Sequence, residues 1–257
     1  MRTIRATRYV TPLREGGSLP AIVEADDEGL YVLKFRGAGQ GPRALIAELV
    51  VGELARACGL AVPEIVFAEL DGDLARTEPD PEIQDLIRAS AGLNLALDYL
   101  PGSVTFDPLS FRPDADLASR VVWFDAFTSN IDRTARNANM LVWHGKLWLI
   151  DHGAALYVHH AGDDFVGRAE VPFAAIKDHV LLPFATRLAE ADVELAARLV
   201  PEVVAGVVAL VPDVWLDDSA PAATAARRDA YRDYLLRRLV APRAFAEEAA
   251  RAHALHV

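Results

Sequence analysis

The chain has 257 residues, of which 52% are hydrophobic and 25% are charged. This composition is typical of a globular protein and excludes a disordered or collagen-like chain. The formal net charge of −11 argues against a dedicated nucleic-acid binder, which would normally carry a basic face. The length allows one large domain or two lobes that share a cleft.

Cysteine use and the apolar segments indicate a cytoplasmic protein. Cys58 is the only cysteine, so no intrachain disulfide can form. The basic segment Met1–Arg8 is not followed by the apolar run of a secretory signal. The longest apolar stretch, Val203–Leu216, is interrupted by Pro212 and is too short to cross a bilayer. We therefore expect no membrane partner.

The first half of the chain predicts several strands and one helix. In Ala44–Cys58, leucines recur at helical spacing, and Gly59 follows as a C-cap would. The turn residues Asp26–Gly29 separate two short apolar segments and predict a hairpin. The predicted strands are Ala21–Glu24, Leu30–Phe35, Val62–Leu70 and Asn94–Leu100.

The second half predicts mainly helices, with one small hairpin. Asn139–Trp143 and Lys146–Ile150 are short strand candidates that flank a His144-Gly145 turn. The pattern changes near Gly102, which predicts an N-terminal lobe of residues 1–100 and a C-terminal lobe of residues 101–257. The predicted helices are Leu117–Ser129, Ala189–Leu199, Glu202–Leu210, Ala222–Leu239 and Arg243–His253.

Lys34 lies in the apolar strand candidate Leu30–Phe35. The chain otherwise uses arginine for its cations, and its other lysines are Lys146 and Lys177. A compact ammonium suits a phosphate as a point charge where a guanidinium fork would not fit. The alternative is an edge-strand lysine that faces water.

Two acidic motifs follow the predicted helix Leu117–Ser129. Asp132 and Asn137 are five residues apart in a polar loop, and Asp151 leaves a strand two residues before Gly153. Phosphoryl transfer needs a carboxylate to orient the attacking hydroxyl and oxygen ligands for magnesium. For the Asp132–Asn137 pair alone, a turn with side chains that cap backbone groups is an alternative, and a D-x-G alone is a weak signal.

The order of these features is that of the protein kinases: strand lysine, helix carboxylate, D-x-x-x-x-N, hairpin and D-x-G. Over Pro12–Tyr157 the chain resembles the HipA-like kinases, a bacterial branch of the protein-kinase-like fold. The segments that carry the resemblance are Arg14-Glu-Gly-Gly-Ser-Leu-Pro, Tyr31-Val-Leu-Lys-Phe, Ala47-Glu-Leu, Asn130-Ile-Asp-Arg with Asn137, and Leu149-Ile-Asp-His-Gly.

The resemblance implies an α+β, two-lobed protein-kinase-like fold, with a mixed N-lobe and a mainly helical C-lobe. It also implies a kinase that uses ATP and Mg²⁺ and transfers the γ-phosphate to a hydroxyl, expected to be that of a protein serine or threonine. In this scheme Asp132 orients the hydroxyl, Asn137 and Asp151 bind Mg²⁺, and Glu48, rather than Glu53, pairs with Lys34. The residues implied for ATP are Lys34, Gly16, Gly17 and Ser18 at the phosphates, and Asp98, Tyr99 and Leu100 beside the adenine.

Several features of the sequence leave alternatives open. The D-x-x-x-x-N and D-x-G pair also occurs in kinases of small molecules such as antibiotics or metabolites. The atypical glycine loop keeps a non-catalytic nucleotide-binding or interaction module open. Arg133 and Arg136 either bind phosphate or an acidic substrate or pair with surface carboxylates, and His159 and His160 are expected in a solvated segment.

Overall fold

The computed structural model of the protein describes residues 1–13, 19–39, 41–162, 164–216 and 220–255. The strands are β1 (Thr3–Pro12), β2 (Ala21–Ala25), β3 (Leu30–Lys34), β4 (Ile65–Leu70), β5 (Gly92–Asp98), β6 (Val104–Thr105), β7 (Met140–Trp143) and β8 (Lys146–Leu149). The α-helices are α1 (Pro42–Ala57), α2 (Pro81–Ala89), α3 (Ala115–Thr128), α4 (Leu188–Arg198), α5 (Pro201–Val208), α6 (Asp213–Leu216), α7 (Pro221–Arg238) and α8 (Ala244–Ala254). Short 3-10 helices occupy Gly72–Thr77, Tyr157–Ala161, Val166–Arg168, Ala174–Asp178 and Leu182–Phe184.

The first five strands close a barrel in the order β1-β2-β3-β5-β4. Strand β3 lies between β2 and β5 and pairs antiparallel with both. Side chains alternate between the two faces of a strand, and Tyr31 and Leu33 enter the barrel core. Val32 and Lys34 therefore face the other side, where helix α1 lies.

Two apolar clusters organise the described residues. The smaller fills the barrel and includes Val23, Leu33 and Val66. The larger contains the C-terminal helices, and Leu45 and Leu49 of α1 belong to this second cluster. Helix α1 thus packs between the barrel and the C-terminal helices. The lobe boundary after residue 100 stays a prediction.

The end of α1 is also joined to the C-terminal helices by hydrogen bonds. The Cys58 carbonyl accepts from Arg120 Nη2 at 2.5 Å and from Arg198 Nη1 at 3.1 Å. The Leu149 N–H donates to the Ala61 carbonyl at 2.8 Å. These bonds fix α1 relative to α3, α4 and the end of β8.

All predicted strands and helices occur, with ends displaced by three residues or fewer. Strand β4 begins at Ile65 rather than Val62, because Pro63 has no N–H to donate to a ladder. Strand β7 begins at Met140 because Asn139 has φ +48°, outside the extended region.

Two elements of the barrel region were absent from the prediction. Along β1 only Ile4 and Ala6 are buried, so its apolar alternation is too short to stand out. Helix α2 carries recognisable signals, because Asp80 caps it ahead of Pro81 and the buried Ile83 and Ile87 are four residues apart.

In the part of the chain that the structure describes, every helix is too short or too polar to span a bilayer.

A buried arginine fixes the end of helix α3, from which the Asp132 loop departs. Arg238 of α7 donates to the Ala126 and Phe127 carbonyls at 2.7 Å each. It also donates to the carbonyls of Ala169 at 2.9 Å and Val171 at 3.3 Å. The Ala126 and Phe127 carbonyls lie at the C-terminus of α3, where the positive guanidinium also complements the helix dipole. The Ala169 and Val171 carbonyls lie in a loop.

We predict that Arg238→Lys lowers the free energy of unfolding by about 2–4 kcal/mol, because one ammonium cannot replace a fork that serves four carbonyls. The exposed neighbour offers a matched control, and Arg237→Lys should change stability by less than about 0.5 kcal/mol. Urea unfolding followed by circular dichroism measures both. Equal stability of the two variants would contradict the role given to Arg238.

His159 is buried, so the expectation that it lies in a solvated segment is wrong. Only 2% of its surface is exposed, and its Nδ1 is 3.0 Å from the Tyr231 hydroxyl. Its Nε2 is 3.0 Å from His160 Nε2. Burial, together with the charges of His160 and Arg43, lowers the pKa of His159 to about 3.

We predict that His159 makes the fold less stable as the pH falls from about 6.5 towards 3. The folded pKa lies below the ordinary value of 6.5, so in this window the unfolded chain binds a proton that the folded chain does not. The loss approaches about 1.4 kcal/mol per pH unit. Urea unfolding between pH 7.5 and 5.0 should give a shallower pH dependence for His159→Gln. The same slope in wild type and variant would contradict this.

Candidate active site

Lys34 lies between two carboxylates that come from different parts of the chain. Its Nζ is 2.8 Å from Asp151 Oδ1 and 3.8 Å from Glu48 Oε2. Burial opposes its charge, but Glu48 and Asp151 outweigh burial and raise the pKa of Lys34. Because Lys34 is 9% exposed and β3 is an internal strand, the solvent-facing edge lysine is excluded.

Glu48 and His152 meet behind Lys34. Glu48 lies on α1 and is 1% exposed, whereas Glu53 is directed to Arg56 at 3.6 Å. Burial opposes ionisation of Glu48, but the charge of Lys34 and the contact with His152 hold its pKa at about 2. His152 Nδ1 is 3.5 Å from Glu48 Oε1, and neither ring nitrogen has a hydrogen-bond partner among the described residues.

Asp151 leaves β8 in the left-handed region, with φ +54°. Just before it, the Ile150 N–H donates to the Asn139 carbonyl at 3.0 Å. This bond joins the D-x-G segment to the end of the Asp132 loop. The backbone turn at Asp151 places its carboxylate against Lys34.

The Asp132 loop is closed by its own polar side chains. The Asp132 N–H donates to Asn130 Oδ1 at 3.1 Å, and Asn130 Nδ2 donates to Asp125 at 3.1 Å. Asp132 Oδ2 accepts from Asn137 Nδ2 at 2.8 Å and from Asn139 Nδ2 at 3.2 Å. Asp132 and Asn137, predicted as a pair from their spacing, are therefore in direct contact.

A buried ionic network supports this loop from below. Arg133 Nε donates to Asp125 Oδ2 at 2.5 Å, and His179 Nε2 lies 2.9 Å from the same oxygen. Arg133 is 1% exposed, so neither interpretation from the sequence applies to it, whereas Arg136 is exposed. The charge of Arg133 instead stabilises the ionised Asp125, whose pKa lies well below its ordinary value despite burial.

The geometry around His179 fixes its protonation. Its Nδ1 accepts a hydrogen bond from the Leu181 N–H at 3.0 Å, so the proton of the neutral ring lies on Nε2 and is donated to Asp125. Burial lowers the pKa of His179 despite the nearby carboxylate. The Val180 N–H also donates to the Arg133 carbonyl at 3.1 Å, which joins the segment after D-x-G to the Asp132 loop.

The residues implied to lie beside the adenine, Asp98, Tyr99 and Leu100, are at the end of strand β5 and directly after it. The Asp98 and Tyr99 N–H groups donate to the Glu64 and Leu30 carbonyls at 2.8 and 3.0 Å. The Leu100 N–H makes no hydrogen bond to any residue in the described ranges. Of these three residues, Leu100 therefore offers a backbone donor to a ligand.

Two further expectations from the sequence concern the phosphate-binding loop and a metal site. The residues expected at the phosphates, Gly16, Gly17 and Ser18, lie outside the described residues. In the described ranges, no three side chains of histidine, cysteine, aspartate or glutamate are grouped to hold a metal ion.

Asp125, Asn139 and His179 were not predicted from the sequence. Asp125 carries a usable signal, since it is a lone carboxylate in the apolar run of α3. Asn139 was assigned to a strand, and His179 meets Asp125 only through the fold.

A comparison with solved structures found kinases with a similar fold. The kinase CtkA of Helicobacter pylori, described as proinflammatory, is 12% identical, with a TM-score of 0.54 over 93% of this chain and 95% of that chain. The Golgi casein kinase is 11% identical in two crystal structures. The structure with Mn/ADP bound has a TM-score of 0.52 over 96% of this chain and 76% of that one, and the second has 0.51 over 95% and 75%.

These likenesses confirm the α+β, two-lobed protein-kinase-like fold that the sequence predicted. A comparison with curated proteins gave no significant match. The model of the family described as HipA-like kinase matches residues 7–243, which is most of the chain. The chain therefore belongs to the HipA-like kinase family.

Proposed function

We propose that this protein is a cytoplasmic kinase that uses ATP and Mg²⁺ and transfers the γ-phosphate to the hydroxyl of a protein serine or threonine. The observation that carries the proposal is the contact of Lys34 with Glu48 and Asp151, together with the hydrogen bond from Ile150 to Asn139 that joins this cluster to the Asp132–Asn137 pair. Membership of the HipA-like kinase family supports it.

Lys34 is the residue suited to the nucleotide phosphates. Its ammonium is charged and is held by carboxylates on two sides, so its position is set before a ligand arrives. Glu48 keeps that charge in place from α1, and the Leu100 N–H, which no described residue accepts, suits an acceptor nitrogen of the adenine ring. We propose that Gly16, Gly17 and Ser18 cover the phosphates, as the resemblance implies.

Asp132 is the residue suited to the acceptor hydroxyl. Its Oδ2 accepts two carboxamide hydrogen bonds, whereas Oδ1 accepts none from the described residues. Oδ1 is therefore available to orient a hydroxyl and to take its proton as phosphate is transferred.

The donor set near Asp132 fits Mg²⁺. Asn137 uses its Nδ2 on Asp132, which leaves its carbonyl oxygen for a metal, and Asp151 adds a carboxylate. Mg²⁺ prefers oxygen ligands and usually binds through a few protein groups plus phosphates and water. When bound, the ion neutralises charge on the phosphates. The Mn/ADP bound in the Golgi casein kinase structure supports, by analogy, the use of a nucleotide and a divalent metal.

We predict that Asp132→Ala reduces phosphate transfer by about 10²- to 10⁴-fold, because it removes the group that accepts the proton. Nucleotide affinity should change little, since Asp132 is assigned to the acceptor. The assay uses ATP labelled at the γ-phosphate, with the chain itself, protein acceptors and small hydroxyl compounds as substrates. Asp85→Ala on the exposed face of α2 is the control and should retain wild-type activity.

Full activity of Asp132→Ala would contradict the role of Asp132. Labelling of a small hydroxyl compound, with none of any protein, would replace the proposed acceptor with a small molecule.

A further inference from the structure

Two carboxamides converge on one oxygen of Asp132. Asn137 is expected there from the D-x-x-x-x-N spacing, but Asn139 lies outside that motif. Its Nδ2 is 3.2 Å from Asp132 Oδ2, against 2.8 Å for Asn137. A carboxylate bound at one oxygen by two donors has little freedom to rotate, and its other oxygen takes a defined direction.

The backbone of Asn139 is itself fixed from two directions. Its carbonyl accepts from the Ile150 N–H at 3.0 Å and from Arg133 Nη1. Ile150 precedes Asp151, and Arg133 follows Asp132. The backbone of Asn139 is therefore bound to the residues next to Asp151 and Asp132, and its side chain donates to Asp132 itself. It is 9% exposed, so water competes little for these hydrogen bonds.

The backbone conformation admits few residue types at this position. Asn139 has φ +48°, in the left-handed region that glycine, asparagine and aspartate tolerate best. If the site required only this turn, glycine would serve as well as asparagine. The carboxamide contact with Asp132 is what distinguishes asparagine from glycine here.

We infer that Asn139 is a positioning residue for Asp132: its carboxamide holds Oδ2 so that Oδ1 points to the acceptor hydroxyl. This inference rests on the proposed kinase function. Asn137 donates to the same oxygen, but its carboxamide oxygen is also assigned to the metal. Asn139 has no such second assignment.

The test compares Asn139→Gly with wild type in steady-state phosphate transfer. Glycine keeps the left-handed backbone and removes only the carboxamide, so kcat should fall about ten- to a hundredfold. The KM for ATP should stay within about twofold, because Asn139 makes no contact assigned to the nucleotide. Asn139→Asp also tolerates the turn but replaces the donor with an acceptor facing Oδ2, and should lose more activity than the glycine variant.

His144→Gly is the matched control. His144 has φ +48° at the exposed turn between β7 and β8, and it is assigned no role in the site. This variant should keep the wild-type kcat. An unchanged kcat in Asn139→Gly, or a loss that appears only in the KM for ATP, would overturn the inference.

A second measurement does not depend on activity. Unfolding constants are compared for wild type, Asn139→Gly, Asp132→Ala and the double variant. If the carboxamide holds Asp132, the effect of Asn139→Gly should be smaller once Asp132 is alanine. Additive effects would overturn the inference. Absence of phosphate transfer by the wild-type chain would count against the proposed function alone, and this cycle would still decide the contact.

Discussion

The site depends on one interaction, the pairing of the buried Lys34 ammonium with the carboxylates of Glu48 and Asp151. Removing a charge from water is costly, and the cost is tolerated only where opposite charges surround it. Here those charges come from helix α1, through Glu48, and from the end of β8, through Asp151. Lys34 can therefore remain charged and buried only when the barrel, helix α1 and the end of β8 are all in their native positions.

The rest of the fold maintains these positions. Helix α1 shares an apolar core with the C-terminal helices, and the Cys58 carbonyl at its end accepts from Arg120 and Arg198. These contacts hold the helix that carries Glu48 in a fixed position. Below the Asp132 loop, the carboxylate of the buried Asp125 is hydrogen-bonded to Arg133, Asn130 and His179. A neutral histidine and a buried ion pair therefore support this loop.

The residues proposed for phosphate transfer stand out in the sequence because each lies in a recognisable local pattern. Asp132 and Asn137 share one loop, Asp151 ends a short hairpin, and Lys34 is unusual in an apolar strand of an arginine-rich chain. The supporting residues were not predictable in this way. His179 meets Asp125 across 54 positions of sequence, and Asn139 looks like the start of a strand until its positive φ is known. Long-range contacts and left-handed residues leave little trace in hydrophobic periodicity.

Calorimetric titration with a non-hydrolysable ATP analogue, with and without Mg²⁺, tests the central claim most directly. The account predicts that Mg²⁺ strengthens binding to the wild-type chain and that Asp151→Ala removes this increment. Nucleotide should still bind the variant without metal, because Glu48 still holds the Lys34 ammonium after the Asp151 carboxylate has been removed. No binding of nucleotide to the wild type under any condition, or the same Mg²⁺ increment in the variant, would contradict it.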